Sequence, residues 1–226
     1  MKGSNIHSPD ALDKAYAGRD WRAYASVLGD CVAFGVPGPI LDIGAGLGFF
    51  LETCARWGIS ATGLEGSEYA IRRAQERCAG LDIRLHDLAA PWPFDKETFG
   101  AVLLNQTIEH LEPELVRRSL GEAWRVLLPE GVLIVNSPCY WNSRERQVES
   151  HINLYTPSRL RKEVSAAGFV RYQARDSAVR VKNRLVQKAV SGLWRLCRAE
   201  RLTASANCIA WKPRLVEEAC ATPVYD

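Results

Sequence analysis

The sequence predicts an α/β fold, in which a mostly parallel, doubly wound sheet carries helices on both faces. Three observations predict it. Apolar runs of strand length alternate with amphipathic stretches of helix length along most of the chain. The first apolar run, 40–43, enters a glycine-rich turn that leads directly into a helix-like stretch. The next two strand-like runs each end in an acidic residue, Glu65 and Asp87.

The composition is that of a globular protein with one large domain, or one domain and a small appendage. Of the 226 residues, 47% are hydrophobic and 24% are charged, which is typical of a soluble chain. Neither an apolar run of roughly 18 residues nor a signal segment is visible, so a cytoplasmic location is expected. Seven cysteines without a C-x-x-C pair indicate reduced thiols. We therefore expect no disulfide and no metal site.

The first 37 residues are predicted to form cap helices ahead of the core. Residues 11–35 have a helical apolar pattern, and the glycines and prolines of 35–39 separate them from the first strand. The remainder, 38–226, is predicted to be one domain that contains a basic helical insertion at about 180–203.

The glycine-rich turn decides between two classes of cofactor. Gly44, Gly46 and Gly48 allow the backbone to approach a ligand closely. A dinucleotide turn needs a small residue where Phe49 stands, which disfavours an NAD-dependent oxidoreductase. The pattern D-x-G-x-G-x-G from Asp42 to Gly48 resembles motif I of the class I methyltransferases that depend on S-adenosylmethionine (SAM).

The resemblance continues along residues 38–176. Glu65 lies 19 residues after Gly46, where an acid can accept both hydrogens of a ribose diol. Asp87 resembles the family position that takes the adenine amino group, with the Leu88 backbone beside the ring. The stretch FGAVLLNQTIEHL resembles the segment near the methionine end of SAM, and RVLLPEGVLIVNSP resembles the element that contains strand five.

The resemblance implies a Rossmann-like, seven-stranded sheet whose strand seven is antiparallel. It also implies SAM as cofactor and S-adenosylhomocysteine (SAH) as product. The residues expected to contact the cofactor are Tyr16, Asp42, Gly44, Ala45, Gly46, Gly48, Glu65, Gly66, Asp87, Leu88, Asn105, Gln106 and His110.

Acceptor contacts are expected from the loop after strand five, because such loops lie at the edge of the sheet where ligands bind. The candidates are His151 and Tyr155, followed by Tyr140 and Trp141. His151 is the first candidate for a general base and His110 the second. His110 has two further interpretations: a polar contact beside the transferred methyl, and a hydrogen-bonded residue that holds its loop.

The basic segment keeps two interpretations open. Seven basic residues lie between Arg180 and Arg201 against the single acid Glu200, while apolar residues share one helical face. This is typical of a surface helix that meets an anionic membrane or guards a pocket for a lipid- or carrier-linked acceptor. It is equally typical of a solvated helix inserted between the last two strands.

These patterns together predict a methyltransferase that acts on a small molecule, with oxygen as the expected target, in secondary or cell-envelope metabolism. Two alternatives remain. An RNA or protein methyltransferase is disfavoured because Asn105-Gln106-Thr107-Ile108 stands where an amine-methylation motif would lie, and no nucleic-acid partner is expected. A non-catalytic, SAM-binding partner subunit is disfavoured because every expected cofactor position is filled. The oligomeric state does not follow from the sequence.

Overall fold

The computed structural model describes residues 8–174, 177–178, 188–191 and 203–214. The α-helices are Pro9–Tyr16 (α1), Ala25–Phe34 (α2), Phe49–Arg56 (α3), Glu68–Arg77 (α4), Pro113–Val126 (α5) and Pro157–Ala166 (α6). The strands are Ile40–Ile43 (β1), Ala61–Glu65 (β2), Ile83–Leu85 (β3), Phe99–Asn105 (β4), Leu127–Pro138 (β5), Val170–Ala174 (β6), Ser177–Ala178 (β7) and Thr203–Trp211 (β8). Short 3₁₀ helices are Trp21–Tyr24, Ile108–His110 and Glu145–Gln147.

The strands form one mixed sheet in the order β3-β2-β1-β4-β5-β8-β6. Strands β1 to β5 pair in parallel, and β8 runs antiparallel to both β5 and β6. The predicted fold, with an antiparallel final strand, is confirmed. The structure adds the two-residue strand β7, which pairs with β8 and brings the sheet to eight strands.

The direction of winding reverses between β1 and β4. The chain moves outward from β1 through β2 to β3, then returns to place β4 on the other side of β1. A crevice forms at the carboxyl ends of the strands where the order reverses, and open α/β sheets bind their ligands there. The glycine-rich turn after β1 and the segment after β4 both open onto this crevice.

A hydrophobic core lies on each face of the sheet. One core packs α5 and α6 against residues such as Leu104 and Val135, and the other packs α2, α3 and α4 against residues such as Leu103 and Ile134. Neighbouring residues of β4 and β5 thus alternate between the two cores. Because both faces are covered, these strands are apolar runs and do not alternate with polar residues.

The N-terminal region differs from one continuous helical stretch. Gly18 adopts a left-handed conformation (φ 72°) after α1. The Asp20 carboxylate then accepts a hydrogen bond from the Arg22 backbone N–H at 2.8 Å and starts a 3₁₀ turn before α2. The prediction treated residues 11–35 as helical throughout because their apolar pattern continues across this break.

Most of the predicted basic insertion at about 180–203 lies outside the described residues, and of that segment residues 188–191 are helical. Within the described parts of the chain, no helix combines the length and apolar character that spanning a bilayer requires.

The loop after β5 returns to its own starting point. Cys139 and Tyr155 form an isolated parallel bridge, and the Tyr140 N–H donates to the Tyr155 carbonyl at 2.8 Å. The loop is therefore closed at its base, next to the strand that anchors it.

A buried cation fixes the end of β8 to the start of β5. The Lys212 ammonium donates to the Leu127 carbonyl at 2.7 Å and to the Glu97 carboxylate at 3.3 Å, and it lies 4.5 Å from the centre of the Trp124 ring. The side chain of Lys212 is 1% exposed. Its long stem fills space in the core while its head satisfies a carbonyl and an acid.

Candidate functional site

A cavity of about 440 Å³ lies at the carboxyl ends of the strands, beside the point where the winding reverses. Its volume lies within the range of roughly 300–1,000 Å³ typical of small-molecule pockets. It extends from the glycine turn and the ends of β2 and β3 to the segment after β4 and the loop after β5. The same cavity therefore touches the regions assigned from the sequence to the cofactor and to the acceptor.

The glycine turn presents its backbone to the cavity. Gly46 has φ 54° and its N–H donates to the Glu65 carboxylate at 2.8 Å. A Cβ added to Gly46 would lie 2.0 Å from the Tyr16 hydroxyl. Tyr16 thus packs over the turn more closely than any residue larger than glycine would allow.

Glu65 is held rigidly at the end of β2. Its two carboxylate oxygens accept from the N–H groups of Gly46 (2.8 Å) and Ser67 (2.9 Å), and its side chain is buried. Asp87, after β3, is exposed at the rim of the cavity, where one oxygen accepts from the Ala89 N–H at 2.9 Å. The two acids predicted to recognise the adenosyl group therefore line one end of a single cavity.

The opposite end is polar and is built from two segments joined by hydrogen bonds. The His110 ring nitrogen Nδ1 bonds the Ser150 carbonyl at 2.9 Å, and the Asn153 N–H donates to the Glu109 carbonyl at 3.0 Å. The rings of His110 and His151 are 5.0 Å apart between centroids. Burial raises the pKa of the Glu109 carboxyl to about 8, opposed by its own backbone amide and the Ser137 hydroxyl.

The sequence-predicted residues divide into two groups. Those that line the cavity are Tyr16, Gly44, Gly46, Glu65, Gly66, Asp87, Leu88, Gln106, His110 and His151. The others are not among its lining residues, and they are Asp42, Ala45, Gly48, Asn105, Tyr140, Trp141 and Tyr155.

The residues outside the cavity wall have other contacts. Tyr155 is fully buried, and its hydroxyl accepts from the Asn153 amide at 2.8 Å. Asn105 accepts from the Asn136 amide at 3.1 Å, and a Cβ on Gly48 would approach Ala74 of α4 to 2.9 Å. Tyr140 is 45% exposed and packs edge-on against Trp141. These contacts support the turn and loops around the cavity.

Glu109 and Thr107 both line the cavity, although neither was among the residues predicted for the site. The Thr107 hydroxyl donates to the Ile43 carbonyl at 2.9 Å, which fastens the segment after β4 to the end of β1. The available signal for Glu109 was its place beside His110 in the NQTIEHL stretch. Neither role could be predicted from the sequence without knowing which strands are neighbours in the sheet.

Asp42 lies inside β1 and is nearly inaccessible to solvent. Burial, and secondarily the Glu65 carboxylate, raise the pKa of Asp42 to about 8. The carboxyl is therefore protonated in the folded protein across the range where it is ionised in the unfolded chain, whose ordinary pKa is 3.8. Unfolding in this range releases a proton, so stability falls as the pH rises from about 4 to about 8.

We expect Asp42→Asn to remove this pH dependence, because an amide cannot ionise. The free energy of unfolding of the variant, relative to wild type, should rise by about 4 kcal/mol between pH 4.5 and 7.5, because each pH unit in this range contributes about 1.4 kcal/mol. Urea denaturation at a series of pH values measures it. Asp95→Asn, at an exposed position, should leave the profile unchanged. A difference between Asp42→Asn and wild type that is constant with pH would contradict the assignment.

The family model described as a methyltransferase domain matches residues 41–135. These residues run from β1, through the glycine turn, Glu65 and Asp87, to β5. This part of the chain is therefore similar to the methyltransferase domain. The chain is 31% identical over 117 residues to the demethylmenaquinone methyltransferases of two strains of Tropheryma whipplei, Twist and TW08/27. The match covers 51% of this chain, which spans about half (47%) of each relative's length.

Solved structures share the fold of this protein at lower identity. A SAM-dependent methyltransferase from Archaeoglobus fulgidus superposes with a TM-score of 0.67 at 18% identity, covering 89% of this chain and 98% of its own. One from Thermotoga maritima has a TM-score of 0.66 at 18% identity, covering 94% and 100%. The Haemonchus contortus phosphoethanolamine N-methyltransferase 2, in complex with SAM, has a TM-score of 0.70 at 14% identity, covering 94% and 59%.

The lining of the cavity fits SAM. A side chain at Gly46 would clash with Tyr16, so the turn needs a glycine where Tyr16 covers it. Glu65 offers two anchored carboxylate oxygens beside the turn, as a ribose diol requires. Phe49 begins α3 and packs between Tyr24 and Arg77. It is not among the lining residues, although its ring centroid lies 5.8 Å from that of Tyr16.

Proposed function

We propose that the protein transfers the methyl group of SAM to an oxygen of a small-molecule acceptor. The observation that supports this most is that one cavity contains both an adenosyl-type end, with Gly46 and Glu65, and a polar end with His110 and His151. The cavity is bordered by Tyr16 on one side and by the loop after β5 on the other. A concave pocket of this size suits a small acceptor better than an RNA duplex or a folded protein.

In this proposal each end of the cavity has its own task. Glu65 accepts hydrogen bonds from the ribose hydroxyls, and Asp87 accepts from the adenine amino group. Gly44 and Gly46 leave room for the methionine portion beside Gln106. When bound, SAM supplies an electrophilic methyl group on a positively charged sulfur, so the protein's contribution is mainly positioning and exclusion of water.

The polar end is proposed to orient the acceptor and to accept the proton that the acceptor loses. A hydroxyl acceptor loses a proton during transfer, and His151 and His110 are the titratable imidazoles at this end. The Nδ1 atoms of both rings bond backbone carbonyls, which fixes their orientation. The curated relative is named for action on demethylmenaquinone, and this supports a small-molecule acceptor for the present protein as well.

The test is to follow the methyl group. The protein is incubated with SAM labelled in its methyl carbon and with an extract of the source organism separated into small-molecule, RNA and protein fractions. We expect label in a small molecule, and nuclear magnetic resonance of the product should identify a methyl ether or ester. Binding of SAH is measured by calorimetry on the same preparation.

The outcomes separate the alternatives. Label found in RNA or protein would replace the small-molecule proposal by a macromolecular one. SAH binding with no label transferred to any fraction would favour a non-catalytic SAM-binding subunit. A methylated nitrogen or carbon in the product would overturn the assignment to oxygen.

A further inference from the structure

Three side chains converge at the polar end of the cavity. Glu109 and His110 lie on the 3₁₀ helix after β4, and His151 lies on the loop after β5. One potential ligand atom from each lies within 4.8 Å of those of the other two. We call these residues the Glu-His-His cluster. Glu109 and His110 are adjacent in the sequence, and His151 lies 41 residues after His110.

Both histidines are oriented by groups behind them. The His110 Nδ1 contacts the Ser150 carbonyl at 2.9 Å. The His151 Nδ1 contacts the Glu145 carbonyl at 3.2 Å and the Glu145 carboxylate at 3.3 Å. A carbonyl oxygen can only accept, so each Nδ1 carries the hydrogen and Nε2 carries the lone pair. Metal-binding histidines are held in this way, with the second ring nitrogen donating to a carbonyl or carboxylate.

The carboxylate of the cluster is completely buried. Glu109 is 0% exposed, and within the described part of the chain neither of its oxygens forms a hydrogen bond of ordinary geometry. An isolated buried charge is costly, so a buried carboxyl is protonated, paired or bound to a metal, and a bound metal would displace the proton that burial favours on Glu109. The nearby Ser137 hydroxyl donates to the Pro138 carbonyl at 3.3 Å. Glu109 thus has unused acceptor capacity at the point where two imidazoles converge.

We propose that Glu109, His110 and His151 bind one divalent transition-metal ion at the acceptor end of the cavity. Two histidines and one carboxylate, with remaining positions open, are the ligand set of catalytic Zn²⁺ sites and of Fe²⁺ sites. Ligands about 2.0–2.2 Å from an ion lie roughly 3 Å from one another. The cluster therefore closes slightly on binding, which the loop that carries His151 can accommodate. The expectation of no metal followed from the cysteines and did not consider ligands from separate strands.

The site deepens the function proposed above and rests on it. The ion's open positions face the cavity, where the acceptor's hydroxyl oxygen becomes a ligand and its proton passes to bulk water. The bound oxygen then forms its bond to the methyl carbon, while the carbon–sulfur bond breaks and sulfur keeps the electron pair. His110 and His151 are ligands in this scheme, and the ion takes over the activation otherwise assigned to a base.

The test uses the untagged, full-length protein after removal of metals with a chelator. Titration with Co²⁺, followed by its visible absorption, and with Zn²⁺, followed by calorimetry, should show one ion bound per chain. Glu109→Gln and His151→Ala should each weaken binding by more than about 100-fold, because changes to residues behind a metal's ligands already cost about 10–100-fold. His86→Ala changes a histidine outside the cluster and should bind both ions as wild type does.

SAH binding by calorimetry is measured on every variant in parallel. Glu109→Gln and His151→Ala should bind SAH with wild-type affinity, which shows that they are folded. The inference is overturned if the chelated protein takes up neither ion in a saturable way, or if uptake survives both substitutions. If SAH binds and the ions do not, the metal site fails while the proposed function stands. If neither SAH nor any ion binds, both fail.

Discussion

Replacing Glu65 with alanine is expected to weaken SAH binding by about 100-fold. Hydrogen bonds to a charged acceptor are worth about 1.5–3 kcal/mol each, and the proposed role has the carboxylate accept two from the ribose. The loss of about 3 kcal/mol corresponds to two orders of magnitude in the dissociation constant. Isothermal titration of SAH into the wild type and the variant measures it directly.

Two comparisons make this result specific. Glu68→Ala removes an exposed acid three residues along the chain, at the start of α4, and should bind SAH normally. Glu65→Gln keeps the volume and removes the charge, so its affinity should lie between those of Glu65→Ala and the wild type. A Glu65→Ala protein that unfolds at the wild-type temperature and still binds SAH tightly would refute the ribose role.

Lys212→Ala is expected to lower the free energy of unfolding by about 3 kcal/mol. Removing one partner of a buried ion pair typically costs roughly 3–5 kcal/mol, because the remaining groups stay buried without compensation. Here the Leu127 carbonyl and the Glu97 carboxylate lose a donor, and the Trp124 ring loses its cation. We expect a value at the lower end of this range, because Glu97 is about one third exposed and water screens its charge. Urea denaturation followed by circular dichroism measures the change.

Lys212→Met separates the polar contribution from the packing contribution. Methionine refills most of the space, so this variant should be more stable than Lys212→Ala and less stable than the wild type. Lys96→Ala removes an exposed lysine next to Glu97 and should change stability by less than about 0.5 kcal/mol. Equal stabilities for Lys212→Ala and Lys96→Ala would show that the buried contacts contribute little.

The sheet was predictable because its signals are local. The apolar run of β1, the glycine turn and the acid that ends β2 each lie within a few residues of one another or at a fixed spacing. Their positions in the structure agree with the sequence interpretation to within one or two residues. The break between α1 and α2 was not predicted, since it depends on Gly18 and on the cap formed by Asp20 within an otherwise helical apolar pattern.

The acceptor end was less predictable because its residues meet across the sheet. His110 and His151 were proposed separately, and nothing in their spacing indicates that their rings are 5.0 Å apart. Their proximity follows from the parallel pairing of β4 with β5, which brings the segments after both strands together. Tyr155 shows the converse case. Its aromatic character suggested a ligand contact, whereas its ring is buried in the core and its hydroxyl accepts from Asn153.

The segment between Cys139 and Tyr155 is closed at its base. This affects how the preference for an acceptor can change from one relative to another. The backbone bond from Tyr140 to Tyr155 isolates the intervening residues from the sheet. Lengthening such a segment costs little, since each doubling adds only about 0.6 kcal/mol of closure entropy. Exchanging residues 141–149 for those of a relative should therefore change the substrate preference. The affinity for SAM should stay the same, because the residues proposed to bind its adenosyl group lie on other strands.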